Sequence, residues 1–509
     1  MSNYEEKLEA AKTFLAERKK DQPLKSQQLI KSRRSFAAAA INRLTASFEG
    51  TTASIDQELR SDLDKLRQRS RTMVQNNGYA KKFLNMCARH IAGPNGFIYQ
   101  ARVEDSPGKP DSAANSAIEK AIYEWSRRGV CEVTGRMSFP DLERAIIKCL
   151  ATDGEALVRK VRGAPARNKF GFALQLLDVA RLDTQLNRAP TNSYNAIIMG
   201  VEVDTYSRPV KYWLRKNNPG GGSGPGDHEQ VPADDIIHLF LSDYAEQTRG
   251  IPWMHASMLG LHNIKGYIEA AVIAARVGAA KMGFFVTPDG KPPPLGDGDE
   301  EGEKEDAEFT TSAEPATFDV VPEGYDFRSY DPEYPHQQFP DFVKTGLRDV
   351  SSGFDVSYNG LANDLENVNF SSIRTGVLEE RDQWMTLQNF FIEGFLENVT
   401  EELLPLALLN KAILMPNGSP LPFTKLEKFK AHIWQGRRWT WVDPEKDINA
   451  AIKAIKAGVS SPQKIAAQMG MDIEDVLSDI AAFEAMLKDK QVNLVDYSTA
   501  GDKPAIPSV

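Results

Sequence analysis

Residues 297–308 hold a spacing that matches a metal loop. Asp297, Asp299, Glu301, Glu305 and Glu308 fall at positions 1, 3, 5, 9 and 12 of a calcium-binding loop, with Gly302 at position 6. Oxygen donors so spaced can wrap a hard cation, and glycine permits the sharp turn between them. Three features oppose that chemistry. Position 5 is glutamate where Asp or Asn is usual, and Lys304 stands at position 8, where a hydrophobic residue pairs such loops. Pro292, Pro293 and Pro294 also precede the loop, and three prolines cannot form its entering helix. The expectation is a solvated acidic loop, with no metal and no cofactor.

A second pattern, Ser461 to Asp472 followed by IEDVLSDIAAF, has the outline of a helix-turn-helix. Its would-be recognition helix carries Asp472, Glu474, Asp475 and Asp479 and no basic residue before Lys488. That face would repel phosphates, which DNA readers neutralise with Lys and Arg, so helical packing or a protein contact is expected. Trp434, Trp439 and Trp441 alternate with Arg437 and Arg438. Such a set could stack on bases, but a packed domain junction is the simpler reading. His255 and His262 lie seven apart on one expected helix, a spacing that suits packing or a subunit contact better than a metal. The chain has no GxxxxGK[ST], HExxH or GxSxG motif. Catalytic residues are therefore not assigned, and the missing phosphate loop counts against an autonomous nucleotide-driven motor.

The elements that must carry these residues follow from periodicity. Leu59, Leu63, Leu66, Met73, Leu84, Cys87 and Ile91 predict a helical stretch from Ser54 to Ile91, ended by Gly93-Pro94-Asn95-Gly96. Residues 97–250 predict an α+β region with strands in GFALQLLDV, AIIMGVEVD and PVKYWLRK, and a flexible loop at 217–227. A long helix is expected from Pro252 to Met282. Periodicity then breaks over 287–331 and resumes near Pro335, with Phe339, Phe342, Val343, Leu347 and Val350 on one face and Lys344, Thr345, Arg348 and Asp349 on the other. A polar loop at 353–369 feeds a helix from Ser371 to about Asn398, and short helices broken by Gly458 and Gly470 close the chain.

Composition bounds the classes. The 509 residues carry 61 Lys+Arg against 70 Asp+Glu, a net charge of −9 that speaks against a surface coating nucleic acid. Nine acids between Pro288 and Glu308, against Lys291 and Lys304, place −7 of that charge in one insertion. Residues 1–34 read instead as a basic arm. Three cysteines with no CxxC pair argue for a reducing compartment. Charges interrupt the greasiest stretch, Ile251 to Val286, before it reaches the roughly 20 apolar residues of a membrane span.

An ordered set of phrases then resembles the lambda-type portal family of tailed bacteriophages. It starts with RSFAAAAINRLTASF and LRQRSRTMVQNNGYAKK (Arg67, Arg69, Arg71, Asn76, Asn77, Tyr79), followed by HIAGPNGF. GEALVRK, LQLLDVARLD and GVEVDTYSRPVKYW follow, then VPADDIIHLF (His238) and EQTRGIPWMHASM (Gln247, Arg249, Gly250). NFSSIRTGVLEERDQW (Ser371, Ser372, Arg374) and WVDPEKDINAAIKAI (Asp443, Pro444) complete it. No one phrase is diagnostic; their order is.

The resemblance implies an α+β, predominantly helical subunit of wing, stem, clip and crown. It assigns 1–34 to a flexible arm, 35–250 to the wing, 251–283 and 333–352 to the stem helices, and 284–332 to the clip. Residues 353–370 become a tunnel loop, 371–442 a wing helix and junction, 443–490 a crown and 491–509 a flexible tail. Such subunits form a ring, usually of twelve, at one capsid vertex of the virion, assembled in the host cytoplasm. Double-stranded DNA passes through it, and the implied partners are the terminase large subunit, a head–tail connector or adaptor, and the major capsid or scaffold protein. A DNA-binding regulator using the tail helices is the alternative. Lys344 and Arg348 are expected to face the lumen as damping contacts, unless they pair with Asp341 or Asp349 on the subunit surface. Tyr358, Asn359, Asn363 and Asn367 are expected to constrict it. Asp297, Asp299, Glu300, Glu301, Glu303, Glu305 and Glu308 are expected to dock basic surfaces of the motor or connector, unless they form a plain loop.

Overall fold

In a computed structural model the chain divides into two units, Met1–Ser54 and Ile55–Val509. The structure describes residues 52–216, 227–279, 283–286, 326–329, 338–366, 370–439, 444–469, 471 and 473–489, with five positions between 7 and 13. Most of the basic arm, residues 217–226 of the Gly-rich loop and the acidic run at 297–308 therefore lie outside the described residues, as do Asn367, Trp441 and Asp443.

The larger unit starts with α1 (Ile55–Asn76) and α2 (Gly78–Ile91). Periodicity predicted one helical stretch here, but Asn77 leaves helical geometry (φ −124, ψ 124) and its side chain accepts the backbone N–H groups of Tyr79 and Ala80. An N-cap inside an otherwise continuous apolar stripe thus splits the stretch in two. Next come β1 (Ile98–Ala101), β2 (Glu104–Ser106), β3 (Lys109–Pro110), α3 (Ser112–Trp125) and α4 (Phe139–Asp153). Ser138 and Asp141 close a capping box at the start of α4, and left-handed Gly154 (φ 84) ends it.

Seven strands follow: β4 (Glu155–Arg162), β5 (Phe172–Leu177), β6 (Ala196–Ile198), β7 (Val201–Val203), β8 (Pro209–Arg215), β9 (His228–Pro232) and β10 (Ile236–Phe240). They make one sheet in the order β10-β4-β5 and another in the order β6-β7-β8-β9, with every pairing antiparallel. AIIMGVEVD, read as one strand, is a hairpin that turns at Met199 (φ 45) and Gly200 (φ 84).

Helix α5 (Met258–Ala279) starts six residues after Pro252, the expected start, because residues 253–257 form turns. Strands β11 (Gly283–Val286) and β12 (Asp326–Ser329) pair antiparallel and bring together the two ends of the insertion, after which α6 (Phe339–Gly353) runs back along α5. Ser257 donates to the Val350 carbonyl at 3.2 Å, and Tyr267 stacks on Phe339 and meets Phe342 at a tilt, with centroids 5.4 and 4.8 Å apart. Leu261, Ile264, Leu347 and Val350 are buried between them, while Phe342 stays 58% exposed. The supposed loop beyond α6 holds a short helix, α7 (Tyr358–Ala362), capped by Ser357.

Helix α8 (Phe370–Phe391) continues through a π-turn at Ile392–Leu396 into α9 (Glu397–Leu409), eleven residues past the expected end at Asn398. A short α10 (Leu426–Phe429), β13 (His432–Gln435, paired with β1), α11 (Pro444–Lys456), α12 (Pro462–Gln468) and α13 (Ile473–Asp489) complete the order. The fold is thus α+β with helices in the majority. Its main core stacks Phe97 on Phe391, Phe391 against Phe395, Phe395 on Phe139 and Phe139 against Trp125. A second, smaller core lies between the sheets around Leu157, Leu177, Val201 and Leu214.

Candidate functional site

Several phrases that the sequence analysis could only place in order meet around one carboxylate. Glu155, the first residue of β4, is fully buried and accepts from four residues on three other segments. Arg67 of α1 reaches it at 2.5 Å, and Arg249 forks onto it at 2.5, 3.0 and 3.1 Å. His238 of β10 donates at 3.0 Å and the Gly250 backbone N–H at 2.9 Å. Arg249 also donates to the Met199 carbonyl at 2.5 Å, which ties in the β6–β7 turn. One turn along α1, Arg71 bridges Asp153 and Asp178 at 2.7 Å each, and Ser70 donates to the Thr152 carbonyl at 2.6 Å.

The backbone at this hub is equally tight. A Cβ at Gly154 would lie 2.2 Å from the Ile251 carbonyl carbon, and one at Gly250 would lie 2.1 Å from the Gly154 oxygen. Glycine is required where these two segments cross, which seats the run into α5 against the end of α4.

Burial alone would raise the Glu155 carboxyl, but the two guanidiniums and His238 hold it well below the usual carboxylate range. Burial pushes Arg67 down to about 10 and also lowers His238, so His238 is neutral at neutral pH. Fully buried, with each of its oxygens held by fixed donors, Glu155 is suited to fixing elements rather than to moving protons. Arg67, Arg71, His238, Arg249 and Gly250 stand out in the ordered phrases, whereas Glu155 lies within GEALVRK with no spacing that marks it. A buried arginine needs a buried acid, and that is the signal which could have found it.

The expected channel residues form a different constellation. Lys344 on α6 stands 3.5 Å from Asp364 and 3.5 Å from Glu366, both in the segment after α7. Tyr358 donates to Asp364 at 2.8 Å, and Arg348 lies over the Tyr358 ring, 5.4 Å from its centroid. The expected alternative, pairing with Asp341 or Asp349, is corrected: Lys344 pairs with the loop's own acids and Arg348 with its tyrosine. Four residues apart on one face, the two cations clamp α6 to the loop. Burial and the bond to Asp364 push the Tyr358 phenol up to about 12, and the same bond lowers Asp364. Asn363, left-handed at φ 57, accepts from the Lys82 ammonium of α2, and Asn359 lines a cleft shared with α2 and α8. The expected motor-docking acids, residues 297–308, and Asn367 lie outside the described residues.

His255 and His262 do not share a helix, because His255 sits in the turn before α5 with Nδ1 3.0 Å from the Pro252 carbonyl. Among the described residues no group of His, Cys, Asp and Glu is arranged to hold a metal. Trp434 is buried, donates to Thr400 at 3.0 Å and meets Tyr99 edge-on, so it belongs to the packed junction. Trp439 donates to His90 at 3.3 Å beneath Arg381 and Arg437. Burial and the nearby arginines 437, 89 and 381 push His90 down to about 4.

Comparison with known proteins decides what carries this hub. The family described as phage portal protein, lambda family, matches residues 42–388. The chain belongs to the lambda family of phage portal proteins. The probable portal protein of Halomonas phage phiHAP-1 is 34% identical over 453 residues, covering 88% of this chain and 86% of that one. Portal protein B of Escherichia phage lambda is 20% identical and covers 85% of each chain. The neck of an empty GTA particle contains a chain with a TM-score of 0.43 at 13% identity, covering 84% of this chain and 98% of that chain. Portal proteins are structural parts of the phage head–tail connection and not enzymes, which accords with a Glu155 hub built to hold segments together. The alternative of a DNA-binding regulator has no support: the family match spans the two larger sheets, the α5–α6 pair and most of α8, and α13 presents an exposed Glu474 where such a helix needs cations.

Proposed function

We propose that this portal chain is the repeated subunit of a ring, of about twelve copies, at one capsid vertex of the virion, through which double-stranded DNA is packaged and later released. The observation that carries this reading is the antiparallel α5–α6 pair, closed at its far end by β11–β12 and anchored at its base by the Glu155 hub. A rod so anchored on a sheet-containing body suits a ring whose head-to-tail contacts close on themselves. Residues 35–250 serve as wing, 251–283 and 333–352 as stem, and 284–332 as clip. Residues 353–370 serve as tunnel loop, 371–442 as wing helix and junction, and 443–490 as crown. Assembly takes place in the host cytoplasm, and among the described residues no helix is long and apolar enough to cross a membrane.

Lys344 and Arg348 are held by Asp364, Glu366 and Tyr358, so their charge is partly neutralised before DNA arrives. That favours weak, sliding contact over a grip, because each firm phosphate contact would oppose movement. The acidic run 297–308 serves as the docking tip for basic surfaces of the terminase large subunit, then of a head–tail connector or adaptor; capsid or scaffold protein surrounds the wing.

The mass of the intact assembly and negative-stain images test the ring: a closed ring with a central hole is expected, and a monomer or dimer would sink it. Lys344→Glu with Arg348→Glu should alter packaging or DNA retention, and unchanged values for both would refute the sliding role. Deleting 297–308 should remove the salt dependence of motor binding.

A further inference from the structure

Between α2, α7 and the middle of α8 lies a cleft of about 370 Å³ that the hub does not use and that meets the expected channel residues only at Asn359 and Asn363. Its walls include Lys82, Arg89 and His90 of α2, Trp384 of α8, Trp439, and Leu365 beyond α7. Among the described residues Lys82, Arg89 and neighbouring Arg437 form no ion pair. Lys82 donates only to the neutral Asn363, and Arg437 donates to the Arg89 carbonyl at 2.6 Å. The acid on the wall, Glu380, accepts the Trp384 indole N–H at 3.3 Å. Like charges gathered without a partner cost folding energy, and a net-acidic chain has no shortage of carboxylates to spend. Leu365, 70% exposed, stands at the rim.

We infer that this cleft receives a carboxylate-bearing segment of a second copy of the chain, so that the cations are compensated only when adjacent subunits meet. This rests on the ring reading above. Two observations favour a second copy over nucleic acid. The lining combines Arg and Trp with an exposed Leu, the composition of a protein–protein anchor, in which an apolar pocket excludes water from a charged pair. And a recess presenting uncompensated cations on every subunit would hold DNA phosphates firmly, which a conduit must avoid.

The test uses the purified full-length chain, with ring formation followed by mass photometry over a range of protein and salt concentrations. Arg89→Glu, an exposed position, should raise the concentration for half-assembly by about tenfold or more. High salt should shift wild type toward the variant, while Arg89→Lys stays within about threefold of wild type. Circular dichroism of the monomer confirms folding, and Arg89→Gln carries the same test with a smaller shift should the reversal misfold. Unchanged half-assembly for both variants overturns the inference. So does a variant that assembles normally but loses DNA retention, since the occupant is then nucleic acid. A wild-type chain that never forms rings overturns the ring reading and this inference with it; the other two outcomes leave the ring standing.

Discussion

The hub at Glu155 and the ladder at Lys344 use the same chemistry in opposite ways. Both join cations on one segment to carboxylates on another. At the hub Glu155 and Arg249 are fully buried, and each charge is fixed by several short bonds. At the ladder Lys344 is 34% and Glu366 78% exposed, and the contacts are 3.5 Å long. Desolvation makes the first arrangement all-or-none, since losing one partner strands the others in a low-dielectric interior. Water screens the second, so it can open at little cost. The portal therefore keeps a rigid base for its α5–α6 pair and a yielding contact at the loop proposed to meet DNA.

The sharpest way to break that contrast is Glu155→Ala. It leaves Arg67 and Arg249 buried without their acid and should cost about 3–5 kcal/mol in urea unfolding. A loss below about 1 kcal/mol would show that the hub is not a lock. Gly250→Ala tests the backbone half of the same lock: its Cβ would meet the Gly154 oxygen at 2.1 Å and Phe240 Cβ at 2.7 Å, for an expected cost of about 1–3 kcal/mol.

Acid sharpens the comparison next. His238 and His90 both sit below their ordinary 6.5 in the folded chain, so the unfolded chain takes up protons that the folded chain refuses. The stability they contribute is complete above pH 6.5 and is lost as pH falls toward the His90 value of about 4. Thermal midpoints should fall across that window, and His90→Asn should flatten part of the slope. Equal slopes in both proteins would exclude His90 as a source. The smallest effect belongs to the ladder: Lys344→Ala should move the melting midpoint by less than about 2 °C. A larger shift would mean that the ladder, too, is structural.

Much of the fold was legible in advance. The α5–α6 pair could be read because buried residues such as Leu347 and Val350 recur at helical spacing, and the strands because short apolar runs alternate with turns. The split at Asn77 was not, because a side-chain cap can interrupt a helix without breaking its apolar stripe. Nor was the run from α8 into α9, where a π-turn carries helical geometry past the end of the expected stripe. At the ladder, sequence placed Lys344 and Arg348 on one face but not their partners, which sit on a segment that first has to fold back over α6.

The sequence by itself determined the family, through the order of its phrases, along with the element types and the place of most of the negative charge. Tertiary structure alone decided which charges are buried and with whom. Arg67 and Glu155 are 88 residues apart, and Glu155 and Arg249 are 94 apart. Whether a charge is exposed or desolvated depends on the chain that closes over it, and no spacing within one segment encodes that.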